Sequence, residues 1–224
     1  RSRFAVNYDK KGWSAYTDTD WYTEDPNASD YYISSAEELA GLAELVNFGI
    51  DFYDCSIYLD ADISLADANG YLRKWTPIGT YDNPFKGNFF GQGHTISGLN
   101  VADFGASGEY AAAGLFGYVS GDDTTEIKDL TISTAYVSAE LYDDPTAEHP
   151  YTSGAEGALV GWAEGYTFSG ISIVNANICG IATIDGMMIG RCDAATVVDP
   201  SCTVDELSTS ESGSLIGYQP GSEP

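Results

Sequence analysis

Two rhythms of apolar residues divide the chain. Over residues 35–47 the period is helical, with Leu39, Leu42, Ala43 and Val46 on one face. Ser34 or Ser35 stands where an N-cap belongs, Glu37 or Glu38 follows three residues later, and Asn47 and Gly49 supply the stop. The pattern predicts one amphipathic helix over about 35–47. After Gly49 the helical period disappears. Residues 56–65 read as a strand with Ile57, Leu59 and Ile63 on one side, and beyond them Gly, Asn and Asp punctuate short β-branched runs.

The β region repeats itself. Gly114, Leu115, Phe116 and Gly117 set a pattern of one small or flexible residue, two bulky apolar residues and a glycine. The pattern returns at residues 158–161, 187–190 and 214–217, with closing glycines 44, 29 and 27 positions apart. A second run places apolar residues at offsets 0, 3, 5 and 10. Ile127, Leu130, Ile132 and Val137 define it, and Phe168, Ile171, Ile173 and Ile178 repeat it. Val197, Pro200, Cys202 and Leu207 match more weakly, as do Ile96, Leu99, Val101 and Ala106. Periods of about 20 to 50 residues mark solenoids, whose units bury their apolar faces only against each other. These runs are too short and too β-branched for helical repeats. They predict an all-β fold, a single-stranded parallel β-helix capped by the helix at 35–47. One domain is expected over 1–224: an aromatic segment and cap over 1–50, coils over 51–217 and a tail over 218–224. The surplus of the longest interval falls in 138–154, read as a loop containing Asp143, Asp144 and Pro145.

Charge narrows the partners. Thirty-four Asp and Glu against nine Lys and Arg give −25, a surface that repels phosphate backbones and excludes nucleic acid as a partner. The acidity fits a soluble, monomeric protein, and it also fits binding of Ca²⁺ or a cationic partner. Asp60, Asp62, Asp67 and Asn69 offer clustered oxygens, as do Asp18, Asp20, Asp25 and Asn27, but both sets lack the glycine and terminal glutamate of an EF-hand loop. Cys55, Cys179, Cys192 and Cys202 lack the spacing of a zinc or redox site. They read as free thiols, with a Cys192–Cys202 disulfide as the alternative. No metal site and no cofactor are assigned. No run reaches the roughly 18 apolar residues that span a bilayer, so no membrane insertion is expected within this segment. Starting at Arg1, the chain reads as part of a longer protein whose signal and anchor lie elsewhere.

A series of short motifs resembles a known family. It comprises Asp18, Thr19, Asp20, Trp21 and Tyr22; residues 32–43; residues 59–65; Trp75, Thr76, Pro77, Ile78 and Gly79; Pro84, Phe85, Lys86 and Gly87; and residues 93–99. In this order, followed by the Gly-Leu-Phe-Gly repeats, it is similar to the GLUG-motif modules of cell-surface proteins of gut and other Gram-positive bacteria. The resemblance covers most of residues 18–217. It implies a right-handed parallel β-helix with a helical N-terminal cap, in an adhesin-like protein that is secreted or attached to the cell wall. It carries over no catalytic residue. One departure is local: the family has Phe-Asp-Gly where this chain has Phe89, Phe90 and Gly91.

The expected function is a non-catalytic extracellular module, adhesive or stalk-like, meeting a glycan or protein of a host or neighbouring cell. The ligand-binding residues are not legible. The alternative is a polysaccharide hydrolase or lyase on the same scaffold, which needs facing carboxylates or a carboxylate beside a cation. Beyond the N-terminal stretch the only cations are Arg73, Lys74, Lys86, Lys128 and Arg191, scattered along the sequence, and neither His94 nor His149 completes a catalytic triad. The aromatic segment with Trp13, Tyr16, Trp21, Tyr22, Tyr31 and Tyr32 reads either as a cover for the solenoid's end or as a platform for sugar or protein.

Overall fold

The structure is a computed structural model that describes residues 11–102, 111–138, 154–180 and 184–220. It is mostly β, with four separate sheets whose neighbouring strands run parallel. Ala106, His149 and the loop with Asp143, Asp144 and Pro145 lie outside the described residues. No described helix is long and apolar enough to cross a membrane.

The helix forms where its signals stand, over Ala36–Asn47. Ser35 accepts the Glu38 N–H at 3.1 Å, and the Glu38 carboxylate accepts the Ser35 N–H at 3.1 Å, a reciprocal capping box. At the other end Gly49 takes φ +105°. Its N–H reaches the Val46 carbonyl and the Ile50 N–H the Leu45 carbonyl, a Schellman closure. The apolar stripe of Leu39, Leu42, Ala43 and Val46 is buried against the main core. Trp13 is buried beside it. Trp21, Tyr31 and Phe52 pack ring on ring, with centroids 5.4 to 5.9 Å apart. Most of the aromatic segment therefore faces inward; Tyr32 is the exception.

From residue 112 onward the chain visits the four sheets in one fixed order three times. Each pass runs through the third sheet (Ala112–Ala113, Ala155–Glu156, Ile184–Asp185) and the fourth (Phe116–Ser120, Val160–Glu164, Ile189–Cys192, and finally Ile216–Tyr218). It then enters the first sheet (Glu126–Lys128, Thr167–Ser169, Val197–Val198), which the earlier strands Asp30–Ile33, Ser56–Leu59 and Asn88–Phe90 begin, and the second, centred on Thr131–Ser138 and Ser172–Ile178. Within each sheet the strands pair in register, so like residues stack. Phe116, Val160 and Ile189 form one buried column ending in half-buried Ile216, and Ile63, Ile96, Ile132 and Ile173 another ending in half-buried Val204. Burying a side chain of this size contributes about 1.5–3 kcal/mol.

The tetrapeptides pair as their sequence similarity requires, and their closing glycines line up. A Cβ on Gly161 would lie 2.5 Å from the Ala113 nitrogen, and one on Gly190 would lie 2.6 Å from the Glu156 nitrogen. Each glycine lets the fourth sheet approach the backbone of the third.

Three register expectations are corrected. Residues 56–65 are two strands, Ser56–Leu59 and Ile63–Ser64, in different sheets; the chain turns a corner at 60–62, although Ile57, Leu59 and Ile63 all face the core. Ile127 stacks on Phe168 and Ile132 on Ile173, as the offsets predict. Ile96, however, pairs with Ile132 and Val101 with Val137, while Phe89 sits under Ile127. Ile127, Ile132 and Val137 are themselves five apart, so a shift of one corner reproduces the pattern. In the last pass Val198 and Val204, not Val197 and Cys202, continue the columns of Phe168 and Ile173. One extra residue occupies the corner at Pro200, which has no N–H to give and is exposed; Val197 and Leu207 are exposed at 53% and 65%. Cys202 is buried two positions before Val204, level with Ile171, where the Thr203 N–H donates to the Ile171 carbonyl.

Candidate functional site

Alternation along the first sheet sends every second residue outward. Tyr31, Ile57, Phe89 and Ile127 point in, which puts Tyr32, Tyr58, Phe90 and Lys128 in one outward column. The rings form a ladder. Tyr32 and Tyr58 stack with centroids 5.2 Å apart, Tyr58 and Phe90 follow at 5.1 Å, and the Lys128 ammonium lies 4.8 Å from the Phe90 centroid. A second outward column holds Asp30, Ser56, Asn88 and Glu126. Asn88 donates to Ser56 at 3.4 Å and accepts the Glu126 N–H at 2.8 Å, and Glu126 pairs with Lys128 at 3.0 Å.

Where the first sheet turns into the second, Gln92, Asp129 and Gly170 adopt φ +54°, +55° and +60°. This tight corner leaves a groove of about 730 Å³ beside the ladder. Tyr58, Phe90 and Lys128 supply an apolar and cationic wall, while Gln92, Asp129 and Thr131 supply polar groups. Gln92 is anchored through its amide, which donates to the Leu59 carbonyl at 2.8 Å. The site therefore combines ring surface with hydrogen-bonding groups of both kinds.

A second aromatic row, on the fourth sheet, differs in exposure. Tyr118, Trp162, Arg191 and Tyr218 are in register, Tyr81 stands edge-on to Tyr118, and the Arg191 guanidinium lies 4.1 Å from the Trp162 centroid. Tyr118 and Trp162 are only 2% and 5% exposed, against 54% for Tyr32. Burial, and then a hydrogen bond to Glu164, push the Tyr118 hydroxyl far above its ordinary pKa. Tyr118 and Trp162 are packed away, whereas on the first sheet Tyr32 is exposed and Tyr58 and Phe90 are half-buried.

The cations expected to mark a catalytic groove are otherwise engaged. Arg73 lies over Tyr16 at 4.1 Å, Lys128 and Arg191 lie on rings, and Lys86 pairs with Asp51 at 3.0 Å. His94 contacts Asp62 at 3.2 Å on an exposed corner. The Thr95 N–H, then His94, hold the Asp62 carboxyl below its ordinary pKa. The acidic sets serve turns. Asp18, Asp25, Asp51, Asp67, Asp122 and Asp199 each accept the N–H two residues ahead. Among the described residues no three His, Cys, Asp or Glu side chains converge on one point. All four cysteines are free thiols, and burial raises Cys192 to a pKa of about 11.

The ladder escaped the sequence reading, although one signal was present: in four successive strands the residue after an inward apolar position is Tyr32, Tyr58, Phe90 and Lys128. Phe90 is also the residue that departs from the Phe-Asp-Gly pattern of the resembled family. No protein-family model matches the chain, and neither a curated protein nor a solved structure matches it.

Proposed function

We propose that the four sheets are the faces of one right-handed parallel β-helix and that the chain is a non-catalytic, GLUG-type module of an extracellular bacterial surface protein. Three in-order passes through parallel sheets support the coil, and parallel crossovers are right-handed in about 98% of cases. The module acts as an adhesive surface, and its ligand is a glycan held at the groove beside Tyr58 and Phe90. The observation that carries this reading is the ladder of exposed Tyr32 and half-buried Tyr58 and Phe90 beside the groove, which contrasts with buried Tyr118 and Trp162 on the fourth sheet. Aromatic surface beside Gln92, Asp129 and Thr131 suits a sugar, with its apolar C–H faces and its hydroxyls. A charge of −25 favours neutral or amine-bearing glycans over sulfated or uronic ones.

The test is a screen of the purified chain against neutral, amino and acidic oligosaccharides, followed by titration of Tyr58→Ala and Phe90→Asp. Binding weakened at least tenfold by both, at unchanged Tm, supports the reading. A folded chain that binds none of the panel leaves only a spacer role and overturns it.

A further inference from the structure

Among the described residues the first sheet ends at strand Asp30–Ile33, which pairs there only with Ser56–Leu59. Along that pair Ser56 donates to the Ser29 carbonyl at 2.8 Å and Asp60 to the Ile33 carbonyl at 2.9 Å. In a parallel ladder this phase turns the N–H and C=O groups of Tyr31 and Ile33 toward the partner strand. Those of Asp30 and Tyr32 face the opposite edge, where no described residue bonds them. The side chains of the same two residues are exposed. One face of the Tyr32 ring rests on Tyr58, and its other face begins the ladder with nothing stacked on it among the described residues.

We propose that this edge is a strand-docking site for another protein. It takes an extended peptide, parallel to Asp30–Ile33, with an aromatic residue opposite Tyr32 and a cationic residue opposite Asp30. Three features fix the chemistry. A strand added at the usual spacing of about 4.8 Å puts its side chain at the pitch the ladder already has, 5.1 to 5.2 Å, so a ring continues the stack. The exposed Asp30 carboxylate, which accepts the Ser29 hydroxyl at 2.7 Å, makes the edge acidic in a protein of charge −25, which selects a basic segment. The same acidity opposes a second copy, since pairing two such edges sets Asp30 near its counterpart in a protein of charge −25. Backbone bonds from two residues give modest affinity, and the ring and the charge give selectivity, as in other strand additions. The inference shares the Tyr32 ring with the ladder but not the groove of the glycan reading, which is lined by Tyr58 and Phe90 further along the sheet.

The test uses the full chain and a fluorescent hexapeptide, Thr-Lys-Val-Tyr-Val-Thr, read by anisotropy. The expected result is saturable binding that weakens at least tenfold in three ways: when both valines flanking the tyrosine are N-methylated, when the peptide tyrosine becomes alanine, and when Asp30→Lys is introduced. Asp30→Lys should also reverse the preference toward a peptide with glutamate in place of lysine. Because N-methylation leaves the protein untouched, it separates docking from misfolding. Equal binding of the methylated peptide, or none of the parent peptide, overturns the proposal. Self-association in sedimentation that Asp30→Lys alters would assign the edge to a second copy, and so overturns it too.

Discussion

Gly161→Ala places a methyl group where the fourth sheet meets the third. Its carbon would lie 2.5 Å from the Ala113 nitrogen, 2.8 Å from the Ala112 Cβ and 2.9 Å from the Ala112 carbonyl carbon, while ordinary contact begins at 3.4 Å. Two of these three atoms are backbone, so no rotamer change relieves them, and the two strands must separate by roughly 0.9 Å. Overpacking of this kind costs about 1–3 kcal/mol. Against it stands a gain of about 0.4–1 kcal/mol from the stiffer unfolded chain, because Gly161 does not need a left-handed backbone. A net loss of about 1.3 kcal/mol corresponds to a fall in Tm of about 3–5 °C for a domain this size. Thermal and urea unfolding followed by circular dichroism measure it. The double variant Ala112→Gly, Gly161→Ala should recover only part of the loss, since the contact with the Ala113 nitrogen survives. If Gly161→Ala melts at or above the parent temperature, the two sheets part freely and the close-approach argument fails.

Other perturbations bear on other layers. Tyr166→Phe should destabilise by about 1–2 kcal/mol in urea titrations, because the fully buried hydroxyl donates to the Gly87 carbonyl at 2.8 Å and the Phe85 carbonyl at 3.2 Å. Ser35→Ala removes one half of the capping box and should cost about 1 kcal/mol; Ser35→Thr should restore most of it in the same assay. Asp62, Asp122, Asp199 and Asp205 are all held below the ordinary carboxylate pKa by hydrogen bonds from N–H or hydroxyl groups. Depressed folded-state values stabilise above the unfolded value near 3.8, and that stability is lost as pH falls through the folded values. The urea midpoint should therefore drop below pH 4, and less steeply in Asp205→Asn, which loses the carboxylate that bonds Asn175 and Ser208; parallel pH curves would contradict this.

Legibility in the sequence followed locality. The helix was readable to within a residue because Ser35, Glu38 and Gly49 act within one turn of themselves. The glycine tetrapeptides were readable because each marks the same corner. Registers were harder. Ile96 could be laid on Ile127 or on Ile132 with equal fit, and only pairing across the sheet chooses. The one-residue slip at Pro200 depends on how many residues a corner holds, which apolar spacing does not encode. The candidate site was the least visible part. Tyr58 and Phe90 lie 32 residues apart in sequence and become neighbours only through strand pairing, so no local window joins them.

Sixteen residues separate Ser138 from Ala155, whereas only five separate Ile178 from Ile184, yet both connections leave the second sheet and deliver the chain to paired positions in the third. Closing the longer connection costs only about 1 kcal/mol more by chain statistics. The scaffold therefore keeps Ala155 and Ile184 paired, and the stacked columns on either side in register, across connections of very different length.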